Sequence, residues 1–497
     1  MSMELIRQHY KKILIIGMFI FFFLQLTTLI SDVPFKNDAS QNAKSAYYLS
    51  QHGVISVDKR ETDDPSPSNF REPVPIFVVA AIIQIQEKLL GHEFSLETIN
   101  SDGNPKIFKS ANILWALVLL AAIYVLTHDI SQSFSLSILA SLVSYFAFVA
   151  NPLVIDTLFT ELQAATLLTL TVMMIVKATR SVHVRNFAWI GIFAGLLSLT
   201  KASFFYIFIG IALLFIVVFL IRKERDIVKR VLLSFAIFAA IAASWMTRNF
   251  FQFGEFEITQ RGGVVLLGRA YYDLMSQEEM VGSLYHWGPP SLKNISIKPY
   301  WDFSAEDFEI GGSMQRLKRS VDILRGKPDD PITYYFQARA ERNRLREYYR
   351  KQKEEFPNHL ADNDVQSQAI GLITENPVRH LVMTGIFTWR GIWDLRIFKA
   401  SNNFSDTSNL VLFLSLMLGI PVYAFRKKDF SLFAFWLLPF AAISFFAIFS
   451  HNIPRYSRMV YPLKIISFLL IAHFAYSTST FPKKIIDKIR SKKSPST

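Results

Sequence analysis

The chain has 497 residues, 51% of them hydrophobic and 45 of them Phe, which exceeds one ordinary soluble domain and points to lipid as the solvent of much of it. A formal net charge of +13 would suit nucleic acid, but most Lys and Arg lie in short loops and at the termini beside apolar runs, where they orient helices and meet anionic headgroups, so nucleic acid is set aside. With no cysteine there are no disulfides, no thiolate metal site and no thiol nucleophile.

Apolar runs fall at 13–30, 74–90, 110–127, 135–150, 160–177, 187–200, 204–221, 231–247, 408–425, 431–450 and 459–477, with a weaker one at 380–397. Most match the length a helix needs to cross about 30 Å of hydrocarbon at 1.5 Å per residue. Arg7, Lys11 and Lys12 precede the first run, which has no small-residue cleavage site before Ser31, so it reads as an uncleaved anchor with its N-terminus inside. Whether 74–90 crosses decides everything downstream. If it does not, the basic loops 177–186, 222–230 and 426–428 and the Lys-rich tail 483–493 all fall inside; if it does, all of them fall outside. The positive-inside rule selects the first arrangement, with 74–90 an interfacial helix, and Pro73, Pro75, Gln84, Gln86, Glu87 and Lys88 suit that position. Parity then predicts about ten spans with both termini cytoplasmic, and requires 380–397, with Trp389, Arg390 and Trp393, to lie at the interface.

The expected fold is therefore an all-α polytopic membrane protein with interfacial helices and a large extracytoplasmic loop. It divides into an N-terminal transmembrane module, 1–247, with a first outer loop at 31–109; a loop domain, 248–407; and C-terminal helices with a basic tail, 408–497. Within the loop domain 333–356 reads as a solvated surface helix.

Several ionisable residues sit where helices meet the outer interface. Asp38 follows the first span; Asp156 and Glu161 flank the start of another; Lys201 lies in the five-residue break Leu199–Ser203; Arg248 and Asn249 follow the span ending near Trp245; Arg455 and Tyr456 lie between the last two spans. For each alone, snorkelling or a structural ion pair is the plainer reading. Together, carboxylates among cations at one boundary suit a lipid-linked phosphate substrate: cations for the phosphate, and an acid group to accept a proton from an incoming hydroxyl.

Four stretches resemble the C-type membrane glycosyltransferases, which include protein O-mannosyltransferases and the lipid A aminoarabinose transferases. Asp38-x3-Asn42-x3-Ala46-x2-Leu49-x3-Gly53 is similar to the family's first-loop pattern, with Asn42 in place of the usual Tyr. Arg71-Glu72-Pro73-Val74-Pro75 resembles its proline motif, with the Pro pair split. Gly191 to Gly195 followed by Thr200-Lys201 resembles its Gly-rich hairpin ending in a basic residue. Trp245 to Gly254, with Arg248 and Asn249, resembles the junction into the outer loop, with Ser244 where Pro is common. Beyond residue 270 the likeness thins to Pro454-Arg455-Tyr456 and Pro462.

The resemblance implies transfer of one sugar from a polyprenyl-phosphate carrier to an acceptor hydroxyl, with inversion, on the outer face of a bacterial inner membrane. Asp38 would be the base. Arg71, Glu72, Asp156, Glu161, Lys201, Arg248, Asn249, Arg455 and Tyr456 would bind substrate, with Lys201, Arg248 and Arg455 holding the phosphate leaving group. The acceptor would be a glycolipid, a polysaccharide or a protein, and membrane lipids would surround the carrier tail. Tyr285, His286, Trp287, Tyr300 and Trp301 would stack on sugar or simply pack the loop. His52, His92, His286 and His451 show no ligand spacing, so no metal or other cofactor is expected, although Asp63-Asp64 keeps a divalent ion open. Three rivals are a secondary transporter, which would show two similar halves and polar breaks in mid-helix, an O-antigen ligase or polymerase, and a non-catalytic scaffold.

Overall fold

The computed structural model describes residues 3–101, 103–293, 302–393 and 402–478; Tyr300, Trp301, the end of the 380–397 run and the 483–493 tail lie outside them. The described residues are all-α, with no strand. In chain order the helices are α1 Met3–Leu29, α2 Asp38–His52, α3 Pro73–Leu90, α4 Asn104–Lys109, α5 Ala111–Ser131, α6 Phe134–Ser144, α7 Pro152–Ile155, α8 Glu161–Arg180, α9 Val184–Ser198, α10 Ser203–Ile221 and α11 Arg225–Phe253. There follow α12 Gly262–Tyr271, α13 Gln277–His286, α14 Pro290–Lys293, α15 Ser320–Leu324, α16 Tyr334–Lys351, α17 Pro357–Glu375, α18 Pro377–Arg390, α19 Asn402–Leu414, α20 Ile420–Lys427, α21 Phe430–Phe449, α22 Pro454–Ser457 and α23 Tyr461–Thr478.

Among the described residues nine helices are long and apolar enough to cross a bilayer, joined by two shorter apolar ones, Phe134–Val149 and Val184–Ser198. The chain is an integral membrane protein. Pro73–Leu90 is one of the nine by length and composition, but it packs along the polar α2 and against α4, with Gln51 of α2 bonded to Glu87 of α3. The other helices of that set are the runs read as spans from the sequence. Helix α8 is their centre: 78% of its apolar window is buried, and α5, α9 and α21 pack around it. Its buried Thr166, Thr169 and Thr171 hydroxyls each donate to the carbonyl four residues back, so none of the three is left unpaired in the helix core.

The glycines of the hairpin set the approach of α9 to α11. A Cβ on Gly195 would lie 2.9 Å from the Ile241 side chain, and one on Gly191 would strike the backbone carbonyl of Ser234, so small residues four apart let the two backbones close up. Gly195→Leu is expected to cost about 1–3 kcal/mol of stability and lower the thermal midpoint. Gly210→Leu, on α10 where a Cβ meets nothing within 4 Å, is expected to leave the midpoint unchanged.

Two polar layers sit on the ends of these helices. The first joins α2, α3 and α4 through Tyr48, Ile76, Ile83 and Phe108. The second packs α12, α16 and α17 through Leu267, Ala338, Val365 and Ala369. Arg269 of α12, fully buried, ties the second layer to the spans: it donates to Asp273 at 2.6 Å, to the His380 carbonyl of α18 at 2.9 Å and to the Ala447 carbonyl of α21 at 3.1 Å. Helix α11 runs past the expected end near 247 to Phe253, stopping only where Gly254 takes a left-handed φ of 69°; Arg248 and Asn249 therefore lie in its last turns.

Between the two layers Glu255, 1% exposed, accepts from Asn69 of the first at 2.9 Å, from Gln260, and faces His359 at 3.4 Å. Burial pushes its carboxyl up to about 7, the Asn69 and Gln260 bonds oppose this, and the Asp362 charge adds to it. A folded-state pKa raised above the unfolded one means that the folded protein binds the extra proton, so stability falls as pH rises from about 5 to about 7 and above. Glu255→Gln removes that loss. The variant is expected to be more stable than the parent by about 1–3 kcal/mol at pH 8 and equal to it near pH 5, measured as thermal midpoints at the two pH values.

Candidate active site

Helix α2 opens at Asp38, preceded by Asn37 at φ 53° and ψ −124°, a positive-φ turn that residues other than Gly rarely adopt. This turn aims the first side chain of α2 at the ends of α8 and α22. Arg71, on the extended stretch before α3, pairs with one Asp38 oxygen and with Gln41. Arg455 of α22 donates to the other Asp38 oxygen at 2.8 Å. The same guanidinium pairs through Nε with Glu161 Oε1 at 3.1 Å, and Lys201, in the break between α9 and α10, reaches Glu161 at 3.3 Å and the Thr160 hydroxyl at 3.2 Å. Tyr456 closes this side, with Lys201 Nζ 5.3 Å from its ring centre, and Phe159 lies 4.7 Å from the Arg455 guanidinium. Asp38, Arg71, Glu161, Lys201, Arg455 and Tyr456, from five separate parts of the chain, form one network.

The two carboxylates differ in access. The Asp38 side chain is 29% exposed and that of Glu161 2%, so Asp38 is the one that a substrate can touch, while Glu161 fixes Lys201 and Arg455 from behind. Burial pushes the Asp38 carboxyl up, but Arg71 and Arg455 outweigh it and hold it well below the usual carboxylate range. At rest it is a clamped anion. A phosphate that drew either guanidinium away would loosen the clamp and return the carboxyl toward the ordinary range.

The other sequence-predicted residues are placed differently. Asp156 is tied to Lys109 at 2.9 Å and to the Ser31 backbone at 2.8 Å, joining the end of α1 to α4 rather than the Asp38 network. Asn249 is buried and donates to the carbonyls of Glu257 and Ile258, pinning the chain as it leaves α11. Arg248 lies between the Trp245 and Phe253 rings, 4.8 and 5.1 Å from their centres, and bonds to Asn249 at 2.9 Å. Glu72 is partly exposed at the start of α3 and acts on Arg71 through its charge. Tyr285, His286 and Trp287 pack inside the loop layer: His286 stacks on Phe308 at 4.5 Å, and Trp287 meets Tyr272 and Phe387.

No family model and no curated protein matches this chain. It is similar to solved structures at low identity. The crystal structure of the Archaeoglobus fulgidus oligosaccharyltransferase with zinc and sulfate aligns at TM-score 0.49 and 11% identity, over 93% of this chain and 50% of that one. The same organism's oligosaccharyltransferase AglB, in complex with an inhibitory peptide and a dolichol-phosphate, aligns at 0.48 and 10%, over 98% and 53%. ArnT from Cupriavidus metallidurans, in the apo state, aligns at 0.35 and 12%, over 94% and 78%. The chain thus spans about half the length of the archaeal oligosaccharyltransferase.

Four residues that the sequence reading did not assign stand beside the network. His451, in the short link between α21 and α22, is 5.7 Å from Tyr456 and 5.4 Å from Tyr335, ring centre to ring centre. Burial pushes its imidazole down to about 3, with the charges of Arg390, Arg319, Arg261 and Arg455 adding to the effect, so it is neutral at physiological pH. The first three come from α18, from the turn before α15 and from the turn before α12, and Arg455 from α22. Arg390 donates to the His451 carbonyl at 3.0 Å and lies over Trp287 at 4.2 Å; Arg319 lies over Tyr335 at 4.5 Å, and Arg261 over Phe70, beside Arg71, at 4.5 Å. The outcome is a cluster of cations around His451, of which Arg261 also acts through its charge on Arg71, the partner of Asp38. No sequence signal marks Arg261 or Arg319, because single arginines in a solvated loop are common. Among the described residues no three His, Cys, Asp or Glu stand close enough to hold a metal ion.

Proposed function

We propose that the chain is an inverting glycosyltransferase that moves a single sugar from a polyprenyl-phosphate carrier to an acceptor hydroxyl. In this reading the site faces the outer side of a bacterial inner membrane, both termini are cytoplasmic, and the acceptor is a glycolipid, a polysaccharide or a protein. One observation carries it: Asp38 is a reachable carboxylate clamped by two guanidiniums, Arg71 and Arg455, of the kind that a phosphate binds.

The carrier phosphate takes up Arg455, with Arg261, Arg319 and Arg390 adding charge from the loop layer and Lys201 fixing Arg455 through Glu161. Asp38, released from part of its clamp, accepts the proton of the acceptor hydroxyl. The acceptor oxygen attacks the anomeric carbon from the face opposite the phosphate. The bond from that carbon to the phosphate oxygen breaks, and the carrier phosphate leaves with the electron pair, so the configuration inverts. A phosphate leaving group needs charge more than a proton, and each guanidinium contact is worth roughly 1.5–3 kcal/mol. No step here calls for a metal or cofactor; activity that is lost in chelator and restored by one divalent ion would overturn that part.

The test is a panel of polyprenyl-phosphate sugars added to the purified protein in nanodiscs, with thermal stabilisation and sugar release as readouts. One donor is expected to stabilise the protein and, with acceptor present, to release its sugar. Stabilisation by none of them would overturn the proposal and favour a chain ligase or a transporter.

A further inference from the structure

At the end of the helical bundle opposite Asp38, α8, α9, α10, α11 and α21 enclose a cavity of about 260 Å³. Ala178, on its wall, is roughly 25 Å further along α8 than Glu161 at 1.5 Å per residue, so this is a different site from the carboxylate network. The wall is apolar, built from Phe187, Ile211, Phe215 and Val231, and includes Val182, which is 42% exposed. Its lining carries two charged groups, Arg222 and Glu224, both from the turn between α10 and α11. Arg222 is exposed, with its guanidinium 6.0 Å from the Phe430 ring.

Water has few polar partners on such a wall, and an unfilled apolar void forfeits the contacts of its lining. A hydrocarbon chain entering from the bilayer restores them. The surrounding charge says which lipid: the segments 177–185 and 222–230 carry eight Lys or Arg against two acids, an excess that attracts an anionic headgroup and has no use for a neutral one. We propose that this cavity binds an acyl chain of an anionic glycerophospholipid, with the lipid phosphate on Arg222. The site is independent of the glycosyl-transfer reading and stands or falls without it.

The experiment compares phosphatidylglycerol with phosphatidylcholine of the same chains, added to the delipidated full-length protein in detergent, by native mass spectrometry and by thermal midpoint. Phosphatidylglycerol is expected to be retained and to raise the midpoint, and phosphatidylcholine to do neither. Arg222→Glu, at an exposed position, is expected to weaken the response at least fivefold, and Ala212→Phe, which fills the cavity, to abolish it with Arg222 intact. Equal responses to the two lipids, or an unchanged response in Arg222→Glu, would overturn the proposal whether or not Ala212→Phe folds. Displacement of phosphatidylglycerol by polyprenyl phosphate at equal concentration would also overturn it, assigning the cavity to the carrier tail.

Discussion

Asp38→Asn is expected to reduce sugar release by about 10²–10⁴-fold, the contribution typical of a positioned general base, while leaving donor-induced stabilisation intact or larger. The asymmetry follows from the clamp. In the parent, Arg71 and Arg455 spend their charge on Asp38, and a donor phosphate must compete for them. In the variant the amide keeps the shape but not the charge, so Arg71 is freed and Arg455 keeps only its pairing with Glu161, and binding does not suffer as catalysis does. The pH profile sharpens the test. Asp38 is held well below the usual carboxylate range in the resting site, so donor binding is expected to change little as pH falls toward 5, whereas turnover follows the carboxyl as the bound donor releases it. Weakened donor binding in Asp38→Asn, with turnover lost only in proportion, would show that Asp38 binds and does not act as a base.

Arg455→Met is expected to give the largest combined loss, in both stability and turnover. Arg455 alone touches both carboxylates, Asp38 at 2.8 Å and Glu161 at 3.1 Å, and Glu161 lies 2% exposed with its Oε2 atom unpartnered in the hydrogen-bond network. Removing one member of a buried charge network leaves the others unpaired and typically costs 3–5 kcal/mol. Lys201 remains at 3.3 Å from Glu161, so the lower part of that range is expected, with a measurable fall in thermal midpoint. Glu161→Gln combined with Arg455→Met is expected to recover part of the stability, because the stranded anion is gone, and none of the turnover, because the phosphate still lacks its cation. Recovery of both would mean that Arg455 serves only to neutralise Glu161.

Much of the architecture was legible in local patterns. Residues 204–221 are apolar on every side, and a helix of that length and composition has a bilayer as its natural surroundings. The break Leu199–Ser203 was visible as five residues too few for a loop, and α9 and α10 end and begin on either side of it. Helix α8 starts at Glu161, where the apolar run starts. The end of α11 was misread because Arg248 and Asn249 look like loop residues; the helix carries them on to Gly254, which alone offers the left-handed cap.

The candidate site was legible only in its parts. Hydropathy and charge read along the chain marked Asp38, Glu161, Lys201 and Arg455 as ionisable groups at helix ends, but which acid meets which base depends on how helices far apart in sequence are packed. Asp38 and Arg455 are 417 positions apart. Asp156 shows the limit from the other side: it is a carboxylate only five positions before Glu161, yet it faces Lys109 and Ser31. Arg261 and Arg319 lie further out of reach, because they sit in turns with no pattern of their own, and Arg390, visible only as a charge in a weak apolar run, joins them around His451 only when α12 and α18 pack against α21.

By itself the sequence determined that this protein lives in a membrane, where its apolar runs fall, and where charge interrupts them. Those properties follow from local composition and from transfer between water and hydrocarbon, which each segment undergoes on its own. Only the tertiary structure decided that one carboxylate stands exposed between two guanidiniums while another is buried behind them, since electrostatic environment is a property of neighbours in space, and close packing of α8 with α5, α9 and α21 chooses those neighbours.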